Sequence, residues 1–161
     1  MSAEPTQIAH NPTFIDTEVL VFAHNKVASE NRTIARKLLE ELWHERAGVL
    51  SAQVLQEFYF VATRRLDPPL DAVLVRKLLA AYGAWPVVPT DAVLLAGASE
   101  LEERHSVPFR DALVLEAARR LGATRILTGG FPVGRGRSIA GIDIEDPFLP
   151  ASQQVAAESA L

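Results

Sequence analysis

The chain has 161 residues, a mass of 17.5 kDa and a net charge of −4 from 16 basic and 20 acidic side chains. That is the size of one domain able to bury a core of its own. The absence of cysteine excludes disulfides, thiolate zinc sites, iron–sulfur clusters and thiol nucleophiles, and the acidic balance excludes a bulk electrostatic pull toward nucleic acid or anionic membrane.

No apolar run approaches the roughly 20 residues of a membrane-spanning helix. The first residues carry Glu4 and no basic cluster, so the expectation is a cytoplasmic protein with no membrane partner. Prolines at positions 5, 12, 147 and 150 bracket the patterned region. An organised domain is therefore expected over 13–149, with 1–12 and 150–161 as flexible termini.

Along the chain, 13–15 reads as a short strand ending at Asp16. Residues 33–47 carry Ile34, Leu38, Leu39 and Leu42 on one helical face, with Gly48 as the expected stop. A brief strand at 48–50 is followed by Ser51, a plausible N-cap for a helix bearing Val54, Leu55, Phe58 and Val61. That helix ends before Asp67-Pro68-Pro69. A helix over 70–82 and a strand over 85–88 follow, then a helix capped by Thr90 and running to about His105. Pro108 opens a helix over 109–121, closed by Gly122, before strands at 124–128 and 142–144. Strands alternating with helices predict an α/β fold, a three-layer sandwich with a short central parallel sheet flanked by helices. Ligands of such sheets sit at the carboxyl ends of the strands, which singles out Asp16 and Thr128.

Three acids sit among apolar neighbours: Asp16 after Phe14-Ile15, Glu57 within Val54-Leu55-Gln56-Glu57-Phe58, and Asp111 in the first turn of its helix. Each has a plain alternative, since Asp16 would cap the next helix, Glu57 would face water and Asp111 would favour the helix dipole. Brought together in one cleft, they form a hard-oxygen donor set for Mg²⁺ or Mn²⁺. Such an ion activates water and offsets charge on a phosphoryl group. Histidine–zinc chemistry has no comparable support, because His10, His24, His44 and His105 lack ligand spacing. The glycine-rich loop 129–137 lacks the order of a nucleotide P-loop. Its Arg135 and Arg137, with Arg110, are candidate contacts for phosphate groups.

The segment Phe14-Ile15-Asp16-Thr17-Glu18-Val19-Leu20-Val21-Phe22-Ala23 resembles the opening acidic motif of PIN-domain ribonucleases. Ser51 to Phe58 is similar to that family's second motif and Phe109 to Ala118 to its third; the stretches 124–128 and 142–148 follow in order and spacing. By pattern, the resemblance is to the toxin components of VapBC-type toxin–antitoxin pairs. It implies metal-dependent endoribonuclease cleavage of single-stranded RNA, with Asp16, Glu57 and Asp111 as catalytic metal ligands for Mg²⁺ or Mn²⁺. It also implies Thr17 and Thr128 in supporting roles, a homodimer, and a cognate antitoxin protein as partner.

The sequence departs from the family pattern twice. Gly129-Gly130 stands where an acidic pair is usual, and Glu18 stands where asparagine is usual. Glu18 is therefore expected to substitute in part for the missing acid as a further metal ligand, the alternative being that it only starts a helix, where the dipole favours an acid. The alternative is a degenerate PIN domain that binds RNA or a partner protein without cleavage. Phe58, Tyr59, Phe60, Leu74, Leu78 and Leu79 exceed the apolar needs of one core face, which is expected of helices that also meet a partner.

Overall fold

A computed structural model describes residues 10–131 and 136–150. Most of both expected flexible termini, and Arg135 of the glycine-rich loop, lie outside the described residues. The elements in order are β1 (Thr13–Ile15), α1 (Thr17–His24), α2 (Glu30–Glu45), β2 (Gly48–Ser51), α3 (Ala52–Arg64), α4 (Ala72–Tyr82), β3 (Val87–Val88), α5 (Ala92–His105), α6 (Phe109–Arg120), β4 (Arg125–Leu127), β5 (Ser138–Ile139) and β6 (Ile142–Glu145).

The strands form one sheet in the order β3-β2-β1-β4-β6-β5. Every pairing is parallel except that of β5 with β6. β1 and β2 are buried along their whole length, as expected of parallel strands covered on both faces. Helices flank this sheet: α1 packs on α2 and α3, α3 on α4, and α5 on α6. Among the described residues no helix is long and apolar enough to cross a membrane.

Local chemistry explains most of the boundaries. Asp16, Ser29, Ser51, Asp71 and Asp91 each turn a side-chain oxygen onto the first backbone N–H groups of α1 to α5. Asp91, not the expected Thr90, caps α5, because its carboxylate reaches the Leu94 N–H at 2.7 Å. Gly48 is not the stop of α2. Arg46 closes that helix in the left-handed region, with φ of 54°, and Gly48 instead begins β2. A Cβ at Gly48 would meet the Trp85 ring, with Cε3 at 2.6 Å, so the sheet and β3's approach need a bare backbone there. The short hairpin strand β5 had no apolar run to announce it.

The apolar surplus divides as follows. Phe58 is fully buried, Tyr59, Leu78 and Leu79 pack partly against the core, and Phe60 and Leu74 remain 46% and 44% exposed.

The far end of α1 is anchored by aromatic packing. The His24 ring lies against Phe58 and Tyr82, and its Nε2 is 2.7 Å from the Tyr82 hydroxyl. Burial, reinforced by the nearby charges of Arg36 and Arg32, lowers the His24 pKa from 6.5 to about 4. The unfolded chain then takes up the proton more readily than the folded one. The stability His24 contributes is complete above pH 6.5 and is lost as pH falls toward about 4. In melting experiments across that window, the wild type should lose several degrees relative to His24→Gln. A difference between the two that does not change with pH would contradict this assignment.

Candidate metal centre at the carboxyl edge of the sheet

β1 and β4 are neighbours in register, Ile15 opposite Leu127. Asp16 and Thr128 are therefore the next residues beyond adjacent parallel strand ends. The Asp16 N–H donates to the Leu127 carbonyl at 3.0 Å, which extends the ladder one step and turns the carboxylate over the edge. Asp16 is fully buried. Its Oδ1 accepts the Thr17 N–H at 2.7 Å, so it does cap α1. Its Oδ2 accepts the Thr128 hydroxyl at 2.8 Å, and that hydroxyl in turn accepts the Gly130 N–H at 3.0 Å.

Ser51, the last residue of β2, caps α3 through the Val54 N–H and so directs the helix that carries Glu57. Glu57 Oε2 accepts the Thr17 hydroxyl at 2.7 Å, and Oε1 accepts the Gln53 side-chain amide at 3.0 Å. Thr17 thus ties the first acid's helix to the second acid. Gln53, one helical turn before Glu57, escaped the sequence reading.

Arg110 and Asp111 lie in the first turn of α6, which Pro108 opens. Arg110 joins the three acids. Its Nη1 and Nη2 donate to Asp16 Oδ2 and Oδ1 at 2.9 and 2.8 Å, a bidentate pair. Nη2 also donates to Glu57 Oε2 at 2.7 Å and Nε to Oε1 at 3.4 Å. Nη1 lies 3.5 Å from Asp111 Oδ1. Asp16, Glu57 and Asp111 do converge, and the group at their meeting point is a guanidinium. The expected phosphate contact at Arg110 is thus committed to carboxylates. Arg137 is exposed, and its carbonyl accepts the Ile144 N–H.

Glu18 reaches over the two glycines from α1. A Cβ on Gly130 would lie 2.5 Å from Glu18 Oε1, and one on Gly129 would lie 2.9 Å from Oε2. The carboxylate thus takes the volume that side chains at 129 and 130 would fill. Its Oε2 is buried and has no hydrogen-bond partner. Glu116 takes no part: its buried carboxylate is held by Arg119 at 2.7 and 2.8 Å and by Arg120 at 3.4 Å.

The charges respond to this crowding. Burial raises the Glu18 carboxyl above its ordinary pKa, and the nearby Asp16 raises it further, against opposing contributions from Arg110 and the Gly129 N–H. Burial likewise raises Asp111, although Arg110 opposes it. Burial would raise Glu57 too, but the hydrogen bonds from Arg110 and Thr17 outweigh it and hold that carboxyl below the usual range. Arg110 is stabilised in its charged form, because the bonds and charges of Asp16 and Glu57 overcome its desolvation.

The donor chemistry suits a hard divalent cation, with carboxylates from the end of β1 (Asp16), α1, α3 and α6 and one orphaned carboxylate oxygen at Glu18. Among the described residues, no group of three or more acids or histidines is already arranged around a common cation position. The space between Asp16 and Glu57 holds the Arg110 guanidinium instead.

A family model described as PIN domain matches residues 13–130. Among solved structures, the chain is similar to a toxin–antitoxin complex from Klebsiella pneumoniae at 15% identity and a TM-score of 0.62, covering 86% of this chain and 99% of that one. It is similar to Mycobacterium tuberculosis VapC20, a sarcin–ricin loop cleaving toxin, at 21% identity and a TM-score of 0.53, covering 71% and 86%. It is also similar to DNA-bound VapBC from Salmonella typhimurium at 17% identity and a TM-score of 0.57, covering 85% and 98%. No curated protein matches the sequence significantly. At these identities the structures speak to the fold.

Thr128→Val tests the support under Asp16. It keeps the side chain's shape while removing one donor from a fully buried carboxylate. Denaturant unfolding at neutral pH should show a loss of about 1–3 kcal/mol, and an unchanged midpoint would refute the role of that hydrogen bond.

Proposed function

The chain belongs to the PIN-domain family, and from that premise we propose that it is a metal-dependent endoribonuclease acting on single-stranded RNA, the toxin of a toxin–antitoxin pair. One observation carries the reading. Asp16, Glu57 and Asp111 come from three separate segments to the carboxyl edge of the sheet, all within reach of one cationic group. Buried acids are rare without a partner, and this convergence gives them a common one.

In this reading Asp16, Glu57 and Asp111 hold Mg²⁺ or Mn²⁺, with Glu18 as a fourth ligand in place of the side chains absent at Gly129 and Gly130. A divalent ion held there supplies a water acidic enough to attack a phosphodiester and a positive charge opposite the phosphoryl oxygens. The protein's own groups do the positioning. Thr17 and Thr128 fix the Glu57 and Asp16 carboxylates by their hydroxyls, and Gln53 turns the far oxygen of Glu57. Burial of Asp16 keeps competing water away from the carboxylate at the base of the site. Arg137, exposed just before β5, is in this reading the candidate contact for RNA phosphates.

The partner reading draws on the neighbours, which include toxin–antitoxin complexes. Exposed Phe60, Val73 and Leu74 on α3 and α4 supply apolar area suited to a protein interface, whether with an antitoxin or in a homodimer. In this reading the chain acts in the cytoplasm. A second reading, a PIN domain that binds RNA or a partner without cutting, is favoured by one feature: Arg110 already satisfies Asp16 and Glu57.

Incubation of the purified chain with single-stranded RNA and Mn²⁺ should give cleavage that falls by at least about tenfold in Asp16→Asn. Wild-type cleavage no greater than that control would leave the non-cutting reading. The Glu18 assignment has its own check in Mn²⁺ affinity. Glu18→Gln should weaken binding, and Gly130→Ala, which displaces the same carboxylate, should weaken it by a similar factor. The double variant should then be no worse than either alone. Independent, additive losses would show that Glu18 and Gly130 act separately.

A further inference from the structure

Resting on the metal-nuclease reading, we propose that Arg110 is a built-in counter-cation that occupies the position between Asp16 and Glu57, and that a divalent ion loads this site only by displacing it. The argument begins with saturation. Asp16 Oδ1 accepts from Thr17 N and Arg110 Nη2, and Oδ2 accepts from Thr128 Oγ1 and Arg110 Nη1. Glu57 Oε2 accepts from Thr17 Oγ1 and Arg110 Nη2. Without the guanidinium each of these three oxygens keeps one donor, from Thr17 or Thr128. The guanidinium stands between the two carboxylates.

Two cations do not share that space. A guanidinium bridging the acids at 2.7–2.9 Å leaves no room for an ion with its own oxygen shell. Their like charges would also repel in a partly desolvated site. The exchange is favourable in the direction of the metal because the guanidinium brings one positive charge to four carboxylates, Asp16, Glu18, Glu57 and Asp111. It leaves the buried Oε2 of Glu18 with no donor at all.

Arg110 is built to leave. Its side chain is 37% exposed while the Asp16 carboxylate it grips is 0% exposed, so the charge sits at the mouth of the cleft with solvent behind it. It stands in the first turn of α6, on a long side chain whose rotation moves the guanidinium without moving Asp111. The bare protein is thereby spared the repulsion of its own acids, and the loaded protein keeps Arg110 outside the metal's shell. Arg110 is a positioning residue: it acts on the carboxylates, not on the substrate.

The test uses the full chain, as wild type, Arg110→Gln and Arg110→Lys. Mg²⁺ titration of the wild type, followed through arginine side-chain Nε–H resonances, should move the Arg110 signal toward the position of a solvent-exposed arginine as the site fills. The signal is assigned by its disappearance in Arg110→Lys. Arg110→Gln should bind Mn²⁺ about tenfold more tightly than wild type, as expected when a charge-assisted competitor is removed. In metal-free buffer its melting temperature should fall, and Mn²⁺ should raise it by more than it raises that of wild type. An Arg110 signal that stays in place while metal binds overturns the proposal, as does Mn²⁺ affinity that is unchanged or weaker in Arg110→Gln. If Arg110→Gln does not fold, the wild-type titration decides alone. Metal binding and RNA cleavage with a stationary Arg110 would remove this proposal and leave the nuclease reading intact. Failure of wild type and variant alike to bind metal would remove both.

Discussion

Four carboxylates are gathered at one edge of a parallel sheet, and the fold has to keep their charges from driving that edge apart. Two like charges about 4 Å apart repel by roughly 4 kcal/mol at the effective dielectric of a protein surface. That is several times the net value of an ordinary hydrogen bond. Donation from Thr17, Thr128 and Gln53 alone does not balance repulsion on that scale. Arg110 does, because a planar guanidinium presents parallel donors to Asp16 and turns a further pair to Glu57. The buried charge at Asp16 is therefore paired, as buried charges must be.

The sheet order makes that pairing possible. β1 lies between β2 and β4, so the segments leaving the carboxyl ends of all three open onto one place. Asp16 leaves β1, Thr128 leaves β4, and Ser51 starts the helix that brings Glu57. α6 supplies the remainder from its N-terminal turn, where a helix dipole favours the acid Asp111 over its adjacent base. Arg110 stands against that preference. A basic residue in the first helical turn is locally unfavourable, and the carboxylates it meets across the cleft account for its presence there.

Much of this was legible in the sequence. Short apolar runs alternating with capped amphipathic helices gave the parallel sheet, and the ends of those runs gave Asp16 and Thr128. In the sequence, capping α1 and joining the acidic centre look like rival roles for Asp16, yet the carboxylate does both with different lone pairs. Three things stayed hidden for physical reasons. β5 is a two-residue strand fixed by pairing with β6 and not by any pattern of its own. Gly48 looks like a helix stop until Trp85, far along the chain, is folded against it. The direction of Arg110 cannot be read from its neighbours, because an arginine beside an acid at a helix start serves equally well facing a phosphate or facing inward; long-range contacts to residues 16 and 57 decide it.

Glu18 and the glycines at 129 and 130 follow the same logic of charge and space. A side chain at Gly130 and the carboxylate of Glu18 compete for one volume, so a side chain there obliges the end of Glu18 to move. Placed on α1, the acid follows Asp16 within a helix whose far end is locked by His24 against Phe58 and Tyr82. Placed on the loop, it would ride on a segment with glycine's backbone freedom removed but without a helix to hold it. The arrangement seen here puts an acid beside Asp16 on the more rigid support. It also leaves that carboxylate's Oε2 without a hydrogen bond from Arg110, whose charge acts on Glu18 only through space. The centre as a whole therefore remains short of positive charge even with Arg110 in place: one guanidinium stands against the carboxylates of Asp16, Glu18, Glu57 and Asp111.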